Sequence, residues 1–405
     1  MFISFEEQLN IKPRLEYLPQ YDPHRPIDAS FWTTETAQIR AIAYEGPKFQ
    51  GKRTKVFAYT AFPQNCNFPV PAVVLVHGGG CHPDCAWIEE WTARGYAVIA
   101  PDTTGYFPGE FHTSFTENNR GNWKHELPEE ISAPGYTVSP DNSGMQDWYT
   151  VAGDQWMYHA VSQILLAHNI LREDARIEHG KIGICGISWG GVITSIAIGY
   201  DARFAFAVPI YGSAYLVHGL TKHSEPFHLK ENEMWLAERK YEQMNTPVMW
   251  LCWNDDFAFS INSVSHSYIC TVKNNVNTVL SIRHLMYHSH TCAVRCRESY
   301  WFAECILNGD KVPRISAAVD NRTLTFYCSE RPREIRLFYI TDKLSYVDKE
   351  KYGISATFID EEWKIRTIDT ASHQVELPDD AAEFYLEFTF ENDIVLCSKF
   401  FEKPV

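Results

Sequence analysis

The chain has 405 residues, 45% hydrophobic and 21% charged, enough for one large or two ordinary domains with a sizeable core. A formal net charge of −15 argues against nucleic acid or an anionic membrane as the main partner and suits a neutral or cationic substrate better. The opening MFISFEEQLN has neither a basic stretch nor a long apolar one, and no segment approaches the ~20 apolar residues of a membrane span. The expectation is a cytoplasmic protein without a signal peptide. Eleven cysteines at irregular spacing, with CxxxC pairs at Cys81/Cys85 and Cys292/Cys296 and no paired histidine motif, read as unpaired structural thiols in a reducing compartment. No metal site and no cofactor are expected.

Residues 1–35 are rich in proline and aromatics and form an N-terminal arm. Strands follow at 37–46 and 54–63, joined by a Gly/Lys turn. PAVVLVHGGG (71–80) is an apolar run ending in glycines, as in a strand buried on both faces. A helix with Trp87 and Trp91 on one face leads to the strand YAVIAPD (96–102), an alternation that predicts parallel pairing. Residues 103–147 carry no period and are too long for a simple connection.

From Trp148, the spacing of Ala152, Trp156, Ala160, Ile164, Ala167 and Leu171 predicts a helix. KIGICGIS (181–188) is the next strand, GVITSIAIG the helix after it, and 204–212 another strand. A second polar, aromatic excursion covers 213–246. Strands at 247–255 and 278–284 flank a helix over 260–272, and a helix through Cys296, Tyr300, Ala303 and Ile306 closes a domain spanning 36–310. Beyond it, seven short alternating runs in about 95 residues predict a small antiparallel β-sandwich domain over 311–405. The fold class is therefore α/β, with a doubly wound, mostly parallel sheet and a small C-terminal all-β domain.

The chemistry gathers at strand ends. Gly186-Ile187-Ser188-Trp189-Gly190 is a GxSxG pattern between a strand and a helix, the sharp turn that lifts a serine hydroxyl off the sheet. Ser188 is the candidate nucleophile. The backbone N–H of Trp189 and one from His77-Gly78-Gly79-Gly80 would stabilise an oxyanion, with Gly79 ahead of Gly80. The acid is expected after a later strand, at Asp255 or Asp256. The histidine comes last, in RHLMYHSHTC, where His284, His288 and His290 compete. His290 leads because Ser289 and Thr291 leave its ring room, while His284 belongs to the strand. Against each stands a bland reading: a flexible HGGG turn, a solvated strand-end aspartate, a structural histidine among sixteen. Cys185, three residues before Ser188 on the strand, is core rather than nucleophile.

Across roughly residues 35–308, the stretches VPAVVLVHGGG, EEWTARGYAVIAPDTTG, DWYTVAGDQWMYHAVSQILLAHNIL and IGICGISWGG resemble the dienelactone-hydrolase-related α/β-hydrolases, in the branch labelled acetyl xylan esterase-like. The C-terminal β-domain is similar to the small domain often appended there. The resemblance places the family's NDF aspartate on Asp256, with Asp255 where that pattern has Asn. It places the HGH pattern on His288-Ser289-His290, the second histidine being catalytic. The sequence departs from the family in lacking the trailing glycines and in having Cys81 where a fourth glycine is common. The resemblance implies a serine carboxylesterase acting on short acyl, in particular acetyl, esters of a small molecule or oligosaccharide, through Ser188, His290 and Asp256. The alternatives are a serine peptidase and a non-catalytic binding scaffold. Of these, the peptidase relatives usually carry propeller repeats that the sequence does not show. An exposed sheet edge in the β-domain leaves homo-oligomers open.

Overall fold

Runs such as VPAVVLV and AVIAP have no polar face to turn to solvent, so they fold only where layers cover them on both sides. The computed structural model describes residues 3–18, 32–33, 36–108, 123–141, 147–344, 346–348, 357–359 and 362–402. Two compact units emerge, Met1–Ala207 and Val208–Val405.

In the first unit the strands are β1 (Leu15–Tyr17), β2 (Trp32–Thr33), β3 (Ala37–Phe49), β4 (Lys52–Pro63), β5 (Val70–Val76) and β6 (Ala97–Pro101). They are followed by β7 (Phe107–Pro108), β8 (Trp123–Lys124), β9 (Tyr136–Val138) and β10 (Ile177–Ile187). The helices are α1 (Phe5–Gln8), α2 (Cys85–Thr92), α3 (Trp156–Glu173) and α4 (Trp189–Tyr200). The strand order is β1-β3-β4-β6-β5-β10, with β2 beside β3 and β9 beside β4. The pair β3/β4 is an antiparallel hairpin, while β6, β5 and β10 run parallel. Every residue of β6, and all of β5 but Pro71, is buried. Helix α3 packs on α4 and across β3, β5, β6 and β10, and α2 packs on β4 and β6.

Two expectations change here, and the N-terminal arm gains detail. The described part of the N-terminal arm is tied down. Ser4 caps α1 in a capping box, its Oγ accepting from Glu7 N–H (3.2 Å) while its own N–H donates to Glu7 Oε2 (2.9 Å), and β1 pairs antiparallel with β3. The helix expected from Trp148 begins at Trp156, because Ala152–Asp154 form a separate 3-10 turn, Gln155 is extended, and the Asp147 carboxylate accepts the Trp156 N–H from outside the helix. The strand expected at 181–188 starts four residues earlier, at Ile177. Of the excursion at 103–147, residues 109–122 and 142–146 lie outside the described residues.

In the second unit β11 (Ala207–Ile210), β12 (Met249–Trp253) and β13 (Val279–Arg283) are parallel neighbours, with α5 (Ile261–Thr271), α6 (His290–Val294) and α7 (Arg297–Asn308). The excursion at 213–246 consists of four short 3-10 helices. The C-terminal strands are β14 (Ile315–Asp320), β15 (Thr323–Cys328), β16 (Glu334–Ile340), β17 (Tyr346–Asp348) and β18 (Thr357–Ile359). After them come β19 (Lys364–Ile368), β20 (Gln374–Glu376), β21 (Glu383–Thr389) and β22 (Val395–Cys397). They form antiparallel sheets β14-β15-β20 and β19-β16-β21-β22, plus the small ribbon β17-β18 that the sequence pattern had not suggested. Phe326 on β15 meets Phe388 on β21 edge to face at 5.8 Å. Within this unit β22 lies along β13, where Ser281 Oγ donates to the Val395 carbonyl (2.7 Å). The fold class is α/β, with small C-terminal antiparallel sheets. All eleven cysteines are free thiols, and among the described residues no helix is long and apolar enough to cross a membrane.

One buried histidine makes the fold acid-sensitive. His159 on α3 donates its Nε2–H to the Gly153 carbonyl (3.0 Å), its Nδ1 has no hydrogen-bond partner, and burial pushes its pKa down to about 4. The unfolded chain takes up this proton near pH 6.5, and the folded one does so only near pH 4. Stability is therefore present above pH 6.5 and falls as pH drops through that window, by on the order of 3 kcal/mol. His159→Gln keeps the donor without the titration. Urea midpoints measured from pH 7 to pH 4 are expected to fall less steeply in this variant than in the wild type.

Candidate active site

Ser188 sits at the junction of β10 and α4 with φ 59° and ψ −122°, a backbone conformation that side chains other than glycine rarely adopt. Its two flanking glycines explain why the strain is sustained. A Cβ on Gly186 would lie 2.2 Å from the Gly190 carbonyl oxygen, and one on Gly190 would lie 2.2 Å from that of Val76. The helix start is thus laid directly on the end of β5, with nothing larger than hydrogen between them. Ser188 is half-buried while its neighbours Ile187 and Trp189 are buried. Its carbonyl accepts from Gly191 N–H (2.8 Å) and Val192 N–H (3.2 Å), which starts the helix at once. The Trp189 ring is held edge-on by Trp156 at 5.7 Å, and the Trp156 indole N–H donates to the Thr103 carbonyl at 2.8 Å.

The HGGG stretch follows β5 directly. His77 is buried. Its Nε2 accepts the Thr103 N–H (2.9 Å), so the ring carries its proton on Nδ1 and donates it to the Gly78 carbonyl (2.8 Å). A neutral imidazole therefore pins the loop from inside. The Gly78 carbonyl also accepts from Cys81 N–H (3.2 Å), closing a turn over Gly79 and Gly80. Gly80 is exposed, with φ +61°. Gly79 is half-buried, and no acceptor among the described residues takes its N–H. It remains the better donor of the two.

Sequence reasoning missed a second histidine–acid pair beside this loop. Asp102, in the PDTTG that ends β6, accepts from His82 Nδ1 (2.8 Å), from the N–H groups of Thr104 and Tyr106 (both 2.9 Å) and from Thr104 Oγ1 (3.0 Å). Burial alone would raise its pKa, but the hydrogen bonds from His82 and the Tyr106 N–H hold it below the usual range. His82 stacks on Trp123 at 4.2 Å and an angle of 4°. Asp at a strand end followed by Thr-Thr-Gly is a turn signal in the sequence. Nothing in the sequence pointed to His82.

In the second unit Asp256 is fully buried in the turn after β12. Its Oδ1 accepts from Ala258 N–H (2.8 Å) and Phe259 N–H (2.9 Å). Both carboxylate oxygens lie within reach of His288 Nδ1, at 2.9 and 3.0 Å. The His288 side chain is 11% exposed. An Asp256 carboxylate can only accept, so His288 donates from Nδ1, and in the neutral ring the lone pair falls on Nε2. The ring stacks on Tyr211 (4.4 Å, 17°) and leans on Phe257 (5.0 Å). Tyr211 has φ 65°, is fully buried, and donates its hydroxyl to the Tyr287 carbonyl (2.7 Å), bracing the loop that carries His288. Burial raises the Tyr211 pKa, so the hydroxyl stays a donor.

The histidine found on Asp256 is His288, whereas the sequence favoured His290. His290 is the first residue of α6, and Ser289 before it is the N-cap, its Oγ accepting from Cys292 N–H (3.1 Å). The serine taken as a small neighbour making room for a ring is instead a helix start. The two aspartates also separate. Asp255 accepts the Trp363 indole N–H from the C-terminal strands (2.7 Å), and burial raises its pKa, whereas Asp256 holds the histidine. His284 follows β13, with Nδ1 3.3 Å from Asn254 Nδ2 and its ring 5.5 Å from Phe338. Among the described residues no group of three or more His, Cys, Asp or Glu side chains could hold a metal.

A strained serine between a buried parallel strand and a helix, flanked by two glycines that admit no Cβ, defines the α/β-hydrolase class. The Dienelactone hydrolase family matches residues 56–301. The chain belongs to that family, and is a hydrolase. No curated protein matches it. Among solved structures, acetyl xylan esterase 1 from Thermoanaerobacterium sp. JW/SL YS485 is 13% identical, with a TM-score of 0.45 over 75% of this chain and 92% of that one. The Pyrococcus horikoshii acylaminoacyl peptidase is 12% identical, with a TM-score of 0.47 over 66% of this chain and 41% of that one. The acetyl xylan esterase from Paenibacillus sp. R4 is 13% identical, with a TM-score of 0.45 over 70% and 86%. Likenesses this distant carry no argument about substrate.

Two outcomes follow from the packing. Gly186→Ala and Gly190→Ala each force a methyl group into backbone, so a loss of several kcal/mol and failure to accumulate as folded protein is expected, read by thermal melting and gel filtration. Trp363→Phe keeps the ring but leaves the half-buried Asp255 carboxylate without this donor, and is expected to cost about 1 kcal/mol in chemical denaturation.

Proposed function

We propose that the protein is a serine carboxylesterase in which Ser188, His288 and Asp256 form the catalytic triad. The observation that carries this reading is the positive φ of Ser188 between its two flanking glycines, a strained turn that a merely structural serine has no reason to keep. The chain order Ser, Asp, His agrees with it, as does a histidine whose Nδ1 is already committed to a buried carboxylate.

In this mechanism His288 Nε2 takes the Ser188 Oγ proton as Oγ attacks the ester carbonyl. The C=O electron pair moves onto oxygen, which the Trp189 and Gly79 N–H groups stabilise. Such donors are worth about 3 kcal/mol each in other hydrolases. The imidazolium returns the proton to the departing alcohol, leaving Ser188 acylated. Water, deprotonated by His288, attacks the acyl group and releases the carboxylic acid. Asp256 fixes the tautomer throughout and offsets the positive charge on the ring. The acyl group we assign is short, acetyl on a carbohydrate. That choice rests on the likeness of the HGGG, GISWGG and NDDF stretches to the acetyl xylan esterase-like branch. The free cysteines suit work in a reducing, cytoplasmic setting.

Ser188→Ala is expected to abolish p-nitrophenyl acetate turnover and fluorophosphonate labelling. His288→Ala is expected to lower kcat by about 10^4-fold or more, and His290→Ala by less than tenfold. Turnover that survives Ser188→Ala would remove the serine from the mechanism. The reverse ranking of the two histidines would hand the role back to His290. In a screen of acetylated sugars, longer-chain esters and blocked peptides, faster peptide cleavage would favour a peptidase instead.

A further inference from the structure

The first unit contains a cavity of about 210 Å³ with no part in the chemistry above. It lies between the sheet and the end of α3. Strand periodicity turns Gln38, Arg40 and Ile42 of β3 to the same face, and Thr60 and Phe62 of the neighbouring β4 line it with them. Its place in the fold is remote from Ser188. Arg176 on its wall immediately precedes β10, and Ser188 follows the other end of that eleven-residue strand, roughly 35 Å away at extended-chain rise.

The charges lining it do not cancel. Arg176 stacks on Phe62 (3.8 Å) and is neutralised by Asp174 through Nε–Oδ1 (2.9 Å) and Nη2–Oδ2 (2.6 Å) bonds. Arg40 stacks on the Tyr17 ring at 3.5 Å but has no carboxylate partner among the described residues. Its Nε is buried without an acceptor. Among the described residues one guanidinium is therefore uncompensated, in a chain whose formal charge is −15. Around it the walls are apolar, with Ile42 and Val98 buried from the sheet and Leu171 from α3. The Nε–H is closed off from the cavity, but the terminal guanidinium N–H groups can make charge-assisted bonds to a carboxylate, an anion that their planar arrangement suits. The volume lies below the ~300 Å³ at which drug-sized sites begin, which selects a small ligand.

We propose that this cavity binds a small organic monocarboxylate, with its carboxylate on Arg40 and its apolar body against Ile42, Val98 and Leu171. The site is independent of the esterase reading.

Isothermal titration calorimetry of the full chain with sodium phenylacetate and sodium hexanoate tests it, with phenylacetamide as the neutral counterpart. At least one carboxylate is expected to bind, and phenylacetate at least tenfold more tightly than the amide. Arg40→Gln, shown to be folded by an unchanged melting curve, is expected to weaken carboxylate binding tenfold or more. Ile170→Glu, which sets a competing carboxylate on the cavity wall, is expected to do the same should Arg40→Gln fold poorly. Acid and amide binding equally, neither carboxylate binding, or full-strength binding in a folded variant would each overturn the proposal. The last would also place the ligand elsewhere, for instance at Ser188, so a failure of this site is distinguishable from a failure of the esterase.

Discussion

The position of Ser188 depends on one steric constraint. The first turn of α4 rests on the carbonyls at the end of β5, and at Gly186 and Gly190 there is room only for hydrogen. A side chain at either position would push the helix off the strand, and the serine would relax out of its positive φ. The constraint is local, but it draws on the whole sheet. Strand β5 is fixed between β6 and β10, and His77 holds the chain leaving it through bonds to Thr103 and Gly78. Strain at one residue is tolerable only where so many other contacts fix its neighbours.

The second unit uses its C-terminal strands in a similar way. Glu298 of α7 is buried, forms an ion pair with Arg283 at the end of β13, and accepts the Val395 N–H from β22 (3.2 Å). Ser281 and Ile282 of β13 also bond to β22. Trp363 then reaches Asp255, the residue next to Asp256. The small antiparallel sheets are therefore fastened to the strand that leads to His288 and to the turn that carries Asp256. They act as a brace for the histidine–acid pair as much as an appended domain.

How much of this the sequence disclosed follows from which constraints leave a mark in residue type. A glycine that must have no Cβ is visible as a letter, so the serine turn and the HGGG loop were found from sequence alone. Buried parallel strands leave continuous apolar runs, and β5, β6, β12 and β13 were readable for that reason. The loop at 284–291 has no period, and three histidines within seven residues cannot be ranked by spacing. Ser289 caps a short helix, a signal that separates His288, before the cap and paired with Asp256, from His290 within the helix. The start of α3 was misplaced because Trp156 is capped by Asp147, nine residues upstream and beyond any local capping rule. The capping box at Ser4–Glu7 is present in the sequence, within a segment whose prolines and aromatics indicated only an N-terminal arm.

A buried histidine–aspartate pair is not by itself a mark of catalysis, as two of the three such pairs among the described residues show. His168 donates Nδ1 to Asp201 at 2.8 Å, much as His288 does to Asp256, yet both side chains are fully buried and Nε2 has no partner. Asp201 is also bound by Arg203, which ties in Leu9 and Asn169, so the pair fastens the N-terminal segment to the end of α4. Burial lowers the His168 pKa despite the carboxylate, and the ring has no route by which to exchange a proton. His82, on Asp102, has a partly exposed ring stacked on Trp123, but it precedes the serine in the chain and its acid is committed to three further donors from the turn after β6. His288 alone combines a fixed Nδ1 donor, a partly exposed ring and a loop braced from behind by Tyr211. A base must give up its proton as readily as it takes one, which requires a firm hold on one nitrogen and access to the other. Of the three pairs, the one at 288 and 256 meets both conditions in the order the α/β-hydrolase turn demands.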